Sequence, residues 1–359
     1  MKRILILTAG YGEGHNSAAR GVRDGLARVS SDSLVEMHDL FAEVYGTLNE
    51  HIRRAYQTLI NRWPRSWGLV YRWLDRKNDF DRDFAKFSRL KTRLAQLLAA
   101  FQPDSIVSTF PAYPYLIRQI AGVASRFKSV VIVTDSITVN GIWCRAPGDY
   151  FFLPNEQSAV VARQRGVDSE KIRVFGFPVS PKFSDFNRDR EEAPHRPPRI
   201  LYMINAGTGN APKTVARLLD LNVELTVTVG RDEKVRRAIE AVIGDHKIEI
   251  VGWTDQMPRI LSESDLLIGK AGGATVQETI AAGCPMIINH VVSGQEEGNL
   301  QLIVETNSGA MAQSPAEVSA MAGRAFAHGA KQWSEWSANI RKLSRPRASL
   351  DIAEFLLSI

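Results

Sequence analysis

The same three-part unit opens the chain twice. Ile4–Thr8 is an apolar, β-rich run that leads into Gly10-Tyr11-Gly12-Glu13-Gly14 and then a helical stretch, Ser17–Val29. Far downstream, Ile200–Ile204 leads into Gly207-Thr208-Gly209 and a helical stretch, Pro212–Leu219. A buried strand that turns at once into a helix through glycines is the start of a parallel α/β unit. The runs between the two starts read the same way: Leu34–His38, Ser105–Thr109, Val130–Thr134, Tyr150–Leu153 and Ile172–Phe175, then Leu225–Val229, Ile248–Val251, Leu266–Ile268 and Met286–Ile288. Most are continuous rather than alternating, as expected of strands covered on both faces. Between the halves, Pro178, Pro181, Pro194, Pro197 and Pro198 lie among charged residues and read as a linker. The expected fold class is therefore α/β. Two Rossmann-like domains with parallel sheets, 1–178 and 199–334, face a central cleft across a linker at 179–198. A C-terminal helix of about 335–359 packs back on the first domain. Open α/β sheets bind ligands beyond the carboxyl ends of their strands, so both glycine loops are expected to line that cleft.

Composition narrows the function classes. With 359 residues, 44% of them hydrophobic, the chain has enough apolar material for two cores, which excludes a disordered or fibrous protein. No run approaches the roughly 20 apolar residues of a membrane-spanning helix, and MKRILILTAG does not read as a signal peptide. Cys144 and Cys284 are the two cysteines; they lack metal-type spacing and suit a reducing, cytoplasmic compartment. The net charge of +6 is concentrated: Glu50 to Lys77 holds seven Lys/Arg against two acids. Such a patch suits phosphates of lipid head groups or of nucleic acid, or is simply a solvated helix face.

Four segments carry chemistry. The first is Gly12-Glu13-Gly14-His15. Glycines let backbone approach a ligand, and the helix N-terminus is expected to keep His15 neutral, as a potential base. Asp39, after the second strand, stands where a dinucleotide site has its ribose acid, but GxGxG followed by His is not the dinucleotide fingerprint. The plainer reading of His15 is a loop residue satisfying a turn. The second is Gly269 to Glu278. Gly272, Gly273 and a helix N-terminus suit a diphosphate, Thr275 adds a hydroxyl and Glu278 is placed for a ribose; alone, the segment is equally a tight strand-to-helix turn. The third, Ser293 to Asn299, offers Gln295 and Glu296 for sugar hydroxyls, or is a polar loop. The fourth is Ile52–Leu74, whose aromatic and apolar residues repeat at helical spacing on both sides of Pro64, interleaved with Arg53, Arg54, Arg62, Arg65 and Arg72. With Trp63, Trp67, Tyr71 and Trp73 it suits a membrane surface, or an amphipathic pair covering the sheet. No RNA or DNA module accompanies it, and nucleic acid is not expected as a partner.

Taken together, Gly12-Glu13-Gly14-His15, Thr134-Asp135 with Trp143, Gly176-Phe177-Pro178-Val179, Val251-Gly252-Trp253, Met257, Lys270 to Thr275 and Gly294 to Asn299 resemble the monogalactosyl- and glucosyl-diacylglycerol synthases. That group of glycosyltransferases also contains the bacterial lipid II GlcNAc transferase. The resemblance covers nearly the whole chain. It implies a GT-B fold and an inverting hexosyltransferase (EC 2.4.1-type) with a UDP-sugar donor, a diacylglycerol-type lipid acceptor and no cofactor or catalytic metal. It assigns His15 and Asp135 to catalysis. Gly272, Gly273 and Thr275 go to the diphosphate, Glu278 to the ribose, Val251, Gly252 and Trp253 to the uracil, and Gln295 and Glu296 to the sugar, with Gly207 also on the donor side. Gly12, Gly14, Arg62, Trp63, Trp67, Tyr71 and Trp73 go to the acceptor and an anionic membrane surface, with the protein peripheral on the cytosolic face.

Two positions depart from the family pattern. Ala271 stands where Pro is usual, a loss of stiffness. Asn140 stands where His is usual; Asn is no base, so proton transfer falls to His15 or Asp135, or the acceptor differs from diacylglycerol. A UDP-GlcNAc 2-epimerase, or a non-catalytic membrane-bound UDP-sugar sensor, would share the fold. The donor sugar (Glc, Gal or GlcNAc) is not legible.

Overall fold

The computed structural model describes the chain apart from residues 78, 121–126, 187–192 and 295 and the side chains of residues 61, 62, 64 and 65. Its strands form two six-stranded sheets. The first comprises β1 (Arg3–Leu7), β2 (Leu34–His38), β3 (Ser105–Ser108), β4 (Lys128–Ile132), β5 (Tyr150–Leu153) and β6 (Ile172–Val174) in the order β2-β1-β3-β4-β5-β6. The second comprises β7 (Arg199–Met203), β8 (Glu224–Gly230), β9 (Glu249–Gly252), β10 (Leu266–Lys270), β11 (Met286–His290) and β12 (Gly309–Met311) in the order β12-β11-β10-β7-β8-β9. Every pairing is parallel. The fold class read from the sequence is the one observed, with β12 added: Gly309-Ala310-Met311 is too short to stand out as a strand.

The first compact unit comprises Met1–Pro181, Val292–Gly298 and Arg347–Ile359, the second Lys182–Val291 and Asn299–Pro346. In the first, Ile4, Leu5, Ile6 and Leu7 are wholly buried, each worth roughly 1.5–3 kcal/mol relative to exposure. One side of this sheet is covered by the Ser88–Phe101 helix, whose Leu90, Leu94, Leu97, Leu98 and Phe101 repeat at helical spacing into the core. The Glu13–Val29 helix uses glycine for close approach. A Cβ at Gly21 would overlap the carbonyl of Pro178, and one at Gly25 the carbonyl of Ser349 in the C-terminal helix Ala348–Ser358. The expected single helix from about 335 is two, Lys331–Leu343 and Ala348–Ser358, interrupted where Pro346 cannot continue a helix. Trp333 and Trp336 of the former belong to the second unit's core, and the Trp333 indole donates to the Asp265 carbonyl at 2.7 Å.

The basic, aromatic segment forms the helices Leu40–Arg62 and Pro64–Arg76, broken at Trp63 ahead of Pro64 as the proline requires. Among the described residues no helix is long and apolar enough to cross a membrane. In the expected linker, Val179 and Phe183 are buried and Pro181–Asp185 forms a short 3-10 helix. The remainder of that linker at 187–192 lies outside the described residues.

Candidate active site

Strand order decides where the polar groups gather. In the first sheet the order reverses between β1 and β3, and this switch point is where open α/β sheets bind ligands. The Gly10–Gly14 turn follows β1, Thr109 follows β3, and Thr134 and Asp135 follow β4, so the carboxyl ends of three adjacent strands bring them together. Gly12 is the extended N-cap of the Glu13–Val29 helix and makes no side-chain cap; its carbonyl accepts from the His15 amide at 3.3 Å. Gly14 has open space where a Cβ would stand.

His15 is therefore carried in the first turn of that helix. Its Nδ1 lies 2.8 Å from the Thr109 carbonyl oxygen and 3.0 Å from Thr134 Oγ1. A carbonyl only accepts, so Nδ1 carries the hydrogen and Nε2 keeps its lone pair. Burial lowers the imidazole's pKa to about 4, against the smaller opposing effect of the Thr109 bond. The expected neutral histidine is there, with desolvation the main cause of its lowered pKa. Phe110 sets its ring edge-on at 5.2 Å, and Trp143 lies 6.0 Å away.

Asp135 is half-buried, and desolvation raises its pKa to about 6 against hydrogen bonds from the Asn140 amide, Tyr71 and Trp143. The Asn140 amide donates to Oδ2 at 3.2 Å and the Tyr71 hydroxyl at 3.0 Å. Asn140 is fully used as structure. Its Oδ1 accepts from the Ile142 amide at 3.1 Å, capping the Gly141–Cys144 helix, and its Nδ2 donates to the Tyr71 carbonyl at 3.3 Å. Asp39 is no ribose acid. Its two oxygens accept from the amides of Gly10, at 2.9 Å, and Ala42, at 3.0 Å, fixing the glycine turn and capping the next helix.

The proposed membrane aromatics divide. Trp63, Leu69, Val70 and Trp73 are exposed, as are Leu48 and Ile52 of the preceding helix. Trp67 and Tyr71 turn inward, which corrects their assignment to a lipid interface. Trp67 packs edge-on against Tyr56 at 5.0 Å, and Tyr71 reaches Asp135. Helical geometry is the reason: residues 67 and 71 are one turn apart on one face, while 69 and 73 lie on another. Arg62 lies within its helix, but its side chain is outside the described residues.

In the second sheet the order reverses between β7 and β10, and the expected diphosphate residues stand there. Gly207 adopts a left-handed conformation, with φ of 64°, after β7. The Gly273–Ala281 helix follows β10 with Gly272 as its N-cap and no side-chain cap, leaving its first N–H groups without that partner. Thr275 is buried, and its Oγ1 accepts from Asn205 Nδ2 at 3.4 Å. Asn205 joins the two loops at the switch point and was not among the expected residues; a polar side chain just after strand Ile200–Ile204 was its only signal. Glu278 is half-buried on the next turn. Val251 and Gly252 end β9, and Trp253 is 68% exposed with the Arg231 guanidinium 5.2 Å over its ring.

Glu296 is buried in the first unit, not with the second-unit residues it was expected to join. Its Oε2 accepts from the Val292 amide at 2.9 Å, closing its own loop. Gly298 packs this loop so tightly on the Ser136–Thr138 segment that a Cβ would overlap the Ser136 carbonyl. Gln295 lies outside the described residues. Among the described residues no cluster of three or more His, Cys, Asp or Glu is arranged to hold a metal.

Residues 15–179 match the monogalactosyldiacylglycerol (MGDG) synthase family model, and residues 208–314 match the glycosyltransferase family 28 C-terminal domain. The chain is 26% identical over 376 residues to monogalactosyldiacylglycerol synthase 2, chloroplastic, of Arabidopsis thaliana, covering 98% of this chain and 80% of the relative. It is 27% identical over 378 residues to the Spinacia oleracea monogalactosyldiacylglycerol synthase, covering 99% and 72%. Among solved structures it is similar in fold to Acinetobacter baumannii MurG, with a TM-score of 0.64, 13% identity and full coverage of both chains. The S. aureus MnaA–UDP co-structure is similar too, with a TM-score of 0.63, 15% identity and coverage of 98% and 95%. The two family matches stand in order along the chain on a GT-B fold, so over nearly its whole length it is similar to the monogalactosyldiacylglycerol-synthase-like glycosyltransferases.

Proposed function

We propose that this protein transfers a hexose or N-acetylhexosamine from a UDP-sugar to the hydroxyl of a diacylglycerol-type lipid, with inversion at the anomeric carbon. The observation that carries the reading is the His15 imidazole. It is held neutral, with Nδ1 committed to Thr109 and Nε2 free to take a proton, in the part of the chain that matches the MGDG synthase family. In the transfer the acceptor oxygen bonds to the anomeric carbon as the bond to the UDP β-phosphate oxygen breaks. The acceptor's proton passes to His15 Nε2. The Asp135 carboxylate, ionised above about pH 6, holds the acceptor hydroxyl and favours the imidazolium that forms.

On the donor side, the uncapped N–H groups from Gly272 onward and the dipole of the Gly273–Ala281 helix suit the charge that develops on UDP. Thr275 flanks that diphosphate, Gly207 lines the donor side, Glu278 takes the ribose, the backbone at Val251–Trp253 the uracil, and Gln295 the sugar. This division needs no metal. The acceptor side meets the bilayer through Leu69, Val70 and Trp73, exposed on one short helix, and Trp63 just ahead of it, beside cationic Arg72 and Arg76, a composition that suits an anionic interface. The cytosolic face is the side that two free cysteines suit.

The test is to incubate purified protein with diacylglycerol-containing anionic vesicles and radiolabelled UDP-galactose, UDP-glucose or UDP-GlcNAc. Label in the lipid fraction with one donor is the expected result. Donor consumption without lipid label, or none at all, overturns it.

A further inference from the structure

We propose that Tyr71 is a positioning residue for Asp135: its hydroxyl, delivered by the Pro64–Arg76 helix, fixes the orientation of the carboxylate that handles the acceptor. This rests on the reading that Asp135 acts as an anion in the transfer.

The helix is bolted to the catalytic segment at several points along its length. The Tyr71 hydroxyl donates to Asp135 Oδ2 at 3.0 Å, and the Tyr71 carbonyl accepts from Asn140 Nδ2 at 3.3 Å. One turn on, the Asp75 carboxylate accepts from the Gly141 amide at 2.7 Å and pairs with Arg165, while the Asp75 carbonyl accepts from Arg145 at 2.9 Å. On another side, Gly68 and Tyr71 pack against Gly294, where a Cβ would come within 3.3–3.4 Å of both. The phenol is therefore held in place from several directions. Burial, and next the Asp135 charge, push its own pKa well above the usual value, so it remains a donor wherever Asp135 titrates.

A carboxylate has about four lone-pair positions. Tyr71, the Asn140 amide and Trp143 take up to three, leaving one for an acceptor hydroxyl. The other groups facing Asp135 are Asp75, whose charge opposes its ionisation, and Cys144, whose thiol burial pushes up to about 11. Arg165 lowers the pKa of Asp75 and of Cys144, and its own is raised by Asp75, Cys144 and Tyr71. None of these replaces the phenol as a donor to Oδ2. The same helix exposes Leu69, Val70 and Trp73 elsewhere on its surface, so a shift of the element assigned to the lipid reaches Asp135 through Tyr71.

The test is Tyr71→Phe in the full chain. Its Asp135 titration is followed by carboxyl 13C NMR, with the resonance assigned by its loss in Asp135→Asn, and the pH–rate profile is measured alongside. The expected result is an Asp135 midpoint, and an acid limb of turnover, shifted up by about one pH unit, so that the rate at pH 6 falls several-fold while vesicle binding is unchanged. An unmoved midpoint overturns the proposal. If Tyr71→Phe does not fold, 3-fluorotyrosine at 71, a stronger donor of nearly the same size, must move the midpoint down; no movement again overturns it. The NMR readout needs no turnover. A shifted midpoint in a chain that labels no lipid therefore separates failure of the transferase reading from failure of this one.

Discussion

The ring nitrogen Nδ1 of His15 lies 2.8 Å from the carbonyl oxygen of Thr109, a contact between the first turn of a helix and the end of β3. Because the carbonyl can only accept, this one bond selects the tautomer that leaves Nε2 basic. His15→Ala should lower turnover by about 10²–10⁴-fold, the usual loss for a general base, with UDP affinity little changed. Titration calorimetry beside steady-state rates checks this; a large loss of UDP affinity at unchanged turnover would move His15 to the donor site.

The two candidate proton-handling groups should separate on a pH axis. His15, at about 4, stays neutral through the range in which Asp135 titrates near 6, so the acid limb of turnover belongs to Asp135. His15 also makes stability pH-dependent. Its folded pKa lies below the unfolded value of about 6.5, so the unfolded state binds more protons between them. The contribution is complete above roughly pH 6.5 and is lost as pH falls towards 4. Melting temperatures across pH 4–7 should fall less steeply in His15→Gln than in the parent, and parallel curves would contradict this.

Asn140 is a cap and a brace. Asn140→Ala removes the cap on the Gly141–Cys144 helix and the bond to the Tyr71 carbonyl, at a cost of about 1–2 kcal/mol of stability. Urea denaturation reads this directly. A variant as stable as the parent would show that the amide's two bonds contribute nothing net.

Glu278→Ala should weaken donor binding by roughly 1.5–3 kcal/mol, the range for a hydrogen bond to a charged group. Free UDP should be affected as much as UDP-sugar, because the assigned contact is to ribose. Normal UDP binding by the variant would remove Glu278 from that role.

The exposed aromatics and the inward ones should part company. Trp63→Ser with Trp73→Ser should release the protein from anionic vesicles while leaving melting temperature and UDP binding intact, since both rings are more than half exposed. Trp67→Ser should instead lower the melting temperature, because its ring packs on Tyr56. Vesicle binding should also weaken in 1 M salt, where the Debye length is about 3 Å. Undiminished co-sedimentation of the double variant would place the lipid contact elsewhere.

What the sequence determined by itself follows from local rules. Continuous β-rich runs, glycines after the first strand of each half and the proline-rich break specify parallel α/β units, and both glycine loops lie at the switch points where such sheets bind ligands. Pro64 sets a helix boundary because its ring excludes the preceding turn, and His15 is marked by its place after Gly12 and Gly14. What only the tertiary structure decided depends on residues distant in the chain. Thr109 acts through its carbonyl, which leaves no trace in residue type. Asn205 meets Thr275 only because β7 and β10 are neighbours. Tyr71 lies in a stripe of aromatics that reads uniformly as interfacial. Its helix rotates it onto Asp135 and leaves Trp73 outside, and that rotation is set by packing against the Asp135–Arg145 segment and Gly294 rather than by composition. Periodicity reports which residues share a face; which face is covered, and by what, is decided by the partner it packs against.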